Sequence, residues 1–178
     1  MQKGMKYIVI VVIAILVVNG ILKQTRFHYY EPIFRPFSTR LNADILLLQV
    51  DESFQLRPQA LNKRVSYKSS NFRIVDVLPN GKIHAKAIGT AIITAKFRDG
   101  TGQCKVTVID ISEHKLTLSV GESVRLSVKG TGKSVRWSCN SEIAKVEDGL
   151  VVALSTGTAT ITAKVGGKYL ECNLYIEK

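Results

Sequence analysis

The chain has 178 residues, 46% of them hydrophobic, with four prolines and a formal charge of +11. That length holds one ordinary domain or two small ones, and the apolar share excludes a chain disordered throughout. The charge is uneven, +2 in residues 1–22, +7 in 23–110 and +2 in 111–178, which points to an anionic surface or polymer near the first half. No nucleic-acid partner is expected, because no basic recognition helix, zinc spacing or RNP-like strand accompanies the charge.

The first element is YIVIVVIAILVVNGIL, Tyr7–Leu22, an uncharged apolar block. As a helix it reaches about 24 Å, a little short of the roughly 30 Å hydrocarbon core, a gap that lysine snorkelling or slight thinning closes. Residues 1–22 are therefore expected to be a cytoplasmic tail and a membrane anchor, one transmembrane helix through residues 7–22. The alternative is a signal segment, with Lys3 and Lys6 as its basic start and Val18-Asn19-Gly20 near the cleavage site. Basic residues flank the block on both sides, so charge counting leaves the orientation open. A single pass in a bacterial cell membrane with the C-terminal domains outside is expected, or secretion after signal cleavage.

Residues 23–44 form an aromatic-basic linker. Pro32 and Pro36 oppose a long helix there, and Phe27, Tyr29, Tyr30, Phe34 and Phe37 suit either a headgroup layer or packing on the next domain.

From residue 45 the sequence repeats itself. QVDESFQL, ending at Leu56, matches SVGESVRL, ending at Leu126, and Val65-Ser66-Tyr67 matches Val135-Arg136-Trp137 at the same offset of seventy. AKAIGTAIITAK then matches ALSTGTATITAK, and Cys104–Val108 matches Cys172–Ile176, at sixty-eight. Matching blocks in the same order indicate a unit built twice, residues 45–110 and 111–178. Each copy reads as antiparallel β. Val124, Leu126 and Val128 alternate with polar neighbours, as do Ala159, Ile161, Ala163 and Val165, and Ala91, Ile93, Ala95 and Phe97 fall in the same register. Asn80-Gly81 and Asp148-Gly149 supply hairpin turns. Six or seven short strands per copy without a helical stretch predict an all-β fold of two tandem small Ig-like β-sandwiches.

Those motifs resemble the bacterial Ig-like group 2 family, often called BIG2. The second copy carries the resemblance in GESVRL (Gly121–Leu126), WSCN (Trp137–Asn140), EIAKVEDGLV (Glu142–Val151) and GTATITA. The first departs from the pattern, with Asp51 before Glu52, Tyr67 for the Trp, and FRIVDV where a serine-valine-alanine run is usual. The resemblance covers about residues 45–178. It implies a surface protein whose modules space, display or bind rather than catalyse.

The remaining motifs carry little chemistry. GTGKS at Gly130–Ser134 copies the end of a phosphate loop, but Ser127 stands where its first Gly belongs and a strand follows, so a hairpin turn is expected. His28, His84 and His114 lack ligand spacing, with His84 at an exposed strand position, and the Asp-Gly and Glu-Asp-Gly segments lack calcium-loop alternation. Cys104 and Cys172 are expected as buried thiols; a Cys139–Cys172 disulfide would have to span an intervening strand. Trp137 and Tyr67 are expected to anchor the two cores. Tyr169 and Tyr175 are the candidates for a sugar-binding face, too few for a platform.

The expected protein is a non-catalytic, membrane-tethered bacterial surface spacer or adhesion module without catalytic, cofactor or metal residues. An accessory subunit of a secretion, pilus-like or envelope complex is the alternative. Candidate partners, beyond the membrane at residues 7–22, are a protein, a glycan or an anionic wall polymer.

Overall fold

Period-two alternation makes a strand with one apolar face, and such strands are stable only when sheets bury those faces against each other. The computed structural model describes residues 39–59, 64–98 and 100–178; the apolar block and most of the linker lie outside them. No helix among the described residues is long and apolar enough to cross a membrane.

The first repeat contributes β1 (Ile45–Gln49), β2 (Ser53–Gln55), β3 (Ser66–Ser69), β4 (Val75–Val77), β5 (Lys82–Ala85), β6 (Gly89–Phe97) and β7 (Gly100–Ile111). The second contributes β8 (Lys115–Ser119), β9 (Ser123–Arg125), β10 (Val128–Lys129), β11 (Arg136–Cys139), β12 (Ala144–Glu147), β13 (Leu150–Ala153), β14 (Gly157–Val165) and β15 (Lys168–Glu177). One sheet of the first repeat runs β1-β7-β6-β3 and the other β2-β5-β4; the second repeat has β11-β14-β15-β8 and β12-β13-β9. In both, the first strand pairs parallel with the last, β1 with β7 and β8 with β15, and all other strand pairs are antiparallel. The architecture is an all-β, Ig-like sandwich.

The apolar parity read from the sequence holds. Ala91, Ile93, Ala95 and Phe97 face the first core, and Ala159, Ile161, Ala163 and Val165 the second, none more than 7% exposed. Each fully buried Ile or Leu stabilises by about 1.5–3 kcal/mol. Among the described residues no polar or charged side chain is buried. Tyr67 and Trp137 do not sit inside the cores; both are half-buried lids packed on them. The reason is that each lies on an edge strand, β3 or β11, where one flank of the ring meets solvent.

The turns follow their residue types. Asp148 and Gly149, at φ 47° and 80°, form the two-residue link between β12 and β13, the doubly left-handed conformation that matches strand twist. A Cβ on Gly149 would lie 2.4 Å from the Leu126 carbonyl oxygen and 3.2 Å from the Trp137 indole.

The repeats meet through β7. Its Cys104, Val106 and Val108 lie in the first core, whereas Ile109 and Ile111 lie in the second. β10 pairs with the end of this strand, Val128 opposite Ile111 and Lys129 opposite Asp110. Gly130 allows that approach, since a Cβ there would stand 2.4 Å from the Val108 carbonyl oxygen and 2.8 Å from Ile88. Leu47 of β1 packs onto the second core, and Glu52 pairs with Lys168 of β15.

Candidate functional site

Among the described residues, several places gather the candidate chemistry or keep it apart, and strand order decides which. The first is a row across β2-β5-β4. Ser53 stands opposite His84, which stands opposite Asp76. His84 Nδ1 is 3.3 Å from Ser53 Oγ, and its Nε2 is 3.8 Å from Asp51. The sequence did not connect these residues, because they come from separate strands. Ser, His and Asp in contact suggest nucleophilic chemistry, but Asp51 is 87% exposed and the row lies on an open sheet face, so water is not excluded from the group. The corresponding row of the second repeat is Ser123, Val152 and Lys145, which carries no such chemistry. Lys86 donates a 2.8 Å hydrogen bond to Asp76, and this bond, with the Val77 N–H, lowers the Asp76 pKa below the ordinary carboxylate value.

His114 also has a carboxylate partner that spacing alone did not reveal, Asp110 four residues earlier, at 3.1 Å. The pair sits where β7 leaves the joint. No group of three or more His, Cys, Asp or Glu residues is placed to hold a metal ion among the described residues.

The second place is GTGKS. Gly130–Ser134 connects β10, which pairs with β7, to β11, which pairs with β14; it crosses between sheets and is not the hairpin turn expected from sequence. No helix N-terminus follows to present backbone donors to a phosphate.

The cysteines form the third. Cys104 and Cys172 are fully buried free thiols, and Cys139 is half-buried. Ile161 lies between Cys139 and Cys172 in adjacent register positions, so the two sulfur-bearing strands are about 9–10 Å apart, beyond disulfide reach. Burial, with a smaller contribution from Asp44, pushes the Cys104 thiol up to about 11, and burial followed by Glu113 raises that of Cys172.

The fourth is the open side of the second sandwich. β11 and β12 are the edge strands of its two sheets, and between them runs a groove of about 380 Å³ floored by Trp137, Cys139, Ala144 and Val146, with Asn140 and Glu142 beside them. Groups at a sheet edge can pair with an added strand, and β11 and β12 leave two such edges beside this groove. Tyr169 and Tyr175 do not add a sugar platform. They lie six residues apart on β15, about 20 Å, and Lys164 and Lys115 each sit 4.9 Å above one ring.

Among solved structures, domains 4 and 5 of the S-layer protein SbsC share 21% identity, covering 66% of this chain and 72% of that one, with a TM-score of 0.33. A C-terminal fragment of intimin, solved with the intimin-binding domain of the translocated intimin receptor, shares 18%, covering 64% and 51%, with a TM-score of 0.38. An uncharacterized protein of Clostridium acetobutylicum is 32% identical over 136 residues, covering 66% of this chain and 14% of the relative. The chain thus spans only a small part of that relative's length. Residues 105–171 match the family model of the bacterial Ig-like domain (group 2), so the chain carries one domain of that kind in its second repeat.

Proposed function

We propose that the protein is a non-catalytic, membrane-tethered spacer of the bacterial surface. Residues 1–22 hold the membrane, 23–44 form the exit, and 45–110 and 111–178 project as two Ig-like modules that end in a binding edge. The observation that carries this reading is β7, one strand whose side chains enter both cores. A strand shared by two cores resists bending at the junction, which is what a spacer requires. The wholly apolar interior and the exposure of the Ser53–His84–Asp51 group support a structural role over a catalytic one. The match of residues 105–171 to the bacterial Ig-like domain (group 2) supports a bacterial Ig-like module in this role. The groove between β11 and β12 is the surface for a partner, an extended segment lying along an open edge.

Fractionation of native cells, with sequencing of the mature N-terminus, tests the reading. The spacer reading expects the chain in the membrane fraction, beginning at Met1 or Met5, and cleaved by protease added outside intact cells. A chain beginning near Ile21 in the medium would replace the tether with secretion. Mild crosslinking in the same sample that captures stoichiometric envelope proteins would make it a complex subunit instead.

A further inference from the structure

Resting on the tether proposed above, we infer that the end of the first repeat nearest Thr39 lies on a bilayer surface through anionic phospholipid headgroups. Six basic residues lie on the segments that build this end. Arg40 and Arg57 meet where Leu41 bridges Pro58, with the Arg40 carbonyl accepting from the Gln59 N–H and the Arg57 carbonyl from the Asn42 N–H. Lys96 and Arg98 lie at the β6–β7 hairpin, and Thr39 lies against Gly100 and Gly102 of that hairpin. Arg64 precedes Ser66, which stands opposite Lys96, and Lys82 stands opposite Gln55, two residues before Arg57. All six are exposed.

The second repeat supplies the internal control. Its corresponding end docks on the first repeat, and the six equivalent positions there hold Asp110, Ser127, Ser134, Leu150, Lys164 and Gly166. The docked end is thus neutral at the six positions where the Thr39 end carries six positive charges. The described segments that build the Thr39 end, residues 39–42, 53–58, 64–69, 78–83, 94–98 and 100–103, contain no aspartate or glutamate. Asp99, in the same hairpin by sequence, offsets one charge. Arg40, Arg64 and Arg98 also make contacts within the protein, so the attraction is one of net charge rather than of unpaired side chains.

Sixteen residues, 23–38, separate Leu22 from Thr39, and they carry Lys23, Arg26 and Arg35 against Glu31. A bilayer holding the apolar block is therefore no more than a sixteen-residue tether from this end. Attraction to anionic headgroups acts only within about a Debye length, roughly 8 Å, so it favours the end resting on the surface over a module held away from it.

The test places the intact chain in nanodiscs of phosphatidylcholine alone or mixed with phosphatidylglycerol, with a paramagnetic headgroup lipid in each. Broadening of the Arg57, Lys82 and Lys96 amide signals is expected in the mixed discs at low salt. It should disappear in phosphatidylcholine and at high salt, while Val120 stays sharp throughout. The triple variant R57Q/K82Q/K96Q should keep its other amide signals and lose the broadening, since three neutralised charges weaken surface partition on the order of 100-fold. Equal broadening in both discs, none in either, or broadening that survives in the variant would overturn the contact. A response to soluble polyphosphate without preference between the discs would assign the end to a wall polymer and also overturn it. Incorporation into phosphatidylcholine discs reads the tether separately. If the chain does not incorporate, its flotation with preformed vesicles of the two compositions decides the headgroup contact alone.

Discussion

Glu52 of the first repeat reaches across the junction to Lys168 of the second, 116 residues away in sequence. Its other carboxylate oxygen accepts the Gln49 N–H at 3.0 Å, as Glu122 accepts the Ser119 N–H at 2.9 Å in the second repeat. The glutamate of the repeated Glu-Ser motif therefore closes the same turn twice, and in the first repeat it also ties the two modules together.

That tie should be worth little in stability and more in orientation. Both side chains keep about a third of their surface in water, so Lys168→Ala is expected to cost no more than about 1 kcal/mol. Leu47→Ala, which empties a contact with the second core, should cost about 1–2 kcal/mol for a half-buried leucine. Combining the two should widen the distribution of inter-module distances between spin labels on β3 and β11. Unchanged distances in the double variant would leave β7 alone as the source of rigidity.

Gly149→Ala should destabilise the second repeat by about 2–4 kcal/mol. The added Cβ meets the Leu126 carbonyl, whose own N–H is bonded to the Gly149 carbonyl at 2.7 Å, and the backbone is in the left-handed region. Gly132→Ala, with open space around its Cβ, should change the unfolding free energy read from the urea midpoint by less than about 0.5 kcal/mol. Similar midpoints for both variants would contradict the packing of this turn against Trp137.

The thiols should separate by accessibility. A thiol-specific reagent added to the native protein should label Cys139 and leave Cys104 and Cys172 untouched until the chain unfolds. Burial raises Cys104 from an ordinary value near 9 to about 11, so in this window the unfolded chain loses a proton that the folded chain keeps. Stability from this group is complete below about pH 9 and falls as pH rises toward 11, at up to about 1.4 kcal/mol per unit. Cys172 and Tyr67, both raised by burial, act in the same direction. Cys104→Ala should flatten the alkaline decline seen in denaturant titrations.

Asp51 occupies a left-handed backbone position, φ 65°, where the second repeat has Gly121 at φ 87°. Asp51→Gly should raise the stability of the first repeat by about 0.5 kcal/mol, strain relief being partly offset by the freedom glycine gains in the unfolded chain. Thermal unfolding measures it, and a loss would show that the Asp51 contact with His84 stabilises more than the strain costs.

An all-β, Ig-like fold, the residues that face each core and the place of the Asp148-Gly149 turn were legible in the sequence. These follow from periodicity and spacing along one strand, local properties that any sheet must respect. Ile161 and Ala163 point inward because their neighbours Thr160 and Thr162 are polar, whatever lies across from them. That β7 serves two cores, that Glu52 meets Lys168, that Ser53, His84 and Asp51 share a face, and that Arg57 and Lys82 join Arg98 at one end became visible in the fold. Those pairings depend on strand order and on how one sandwich is set against the next. Such relations link residues tens of positions apart, and the alternation within a strand carries no information about them. Trp137 shows both sides: its motif and register were legible, but its place on an edge strand, and so its half-exposure, came from the order of strands in the sheet.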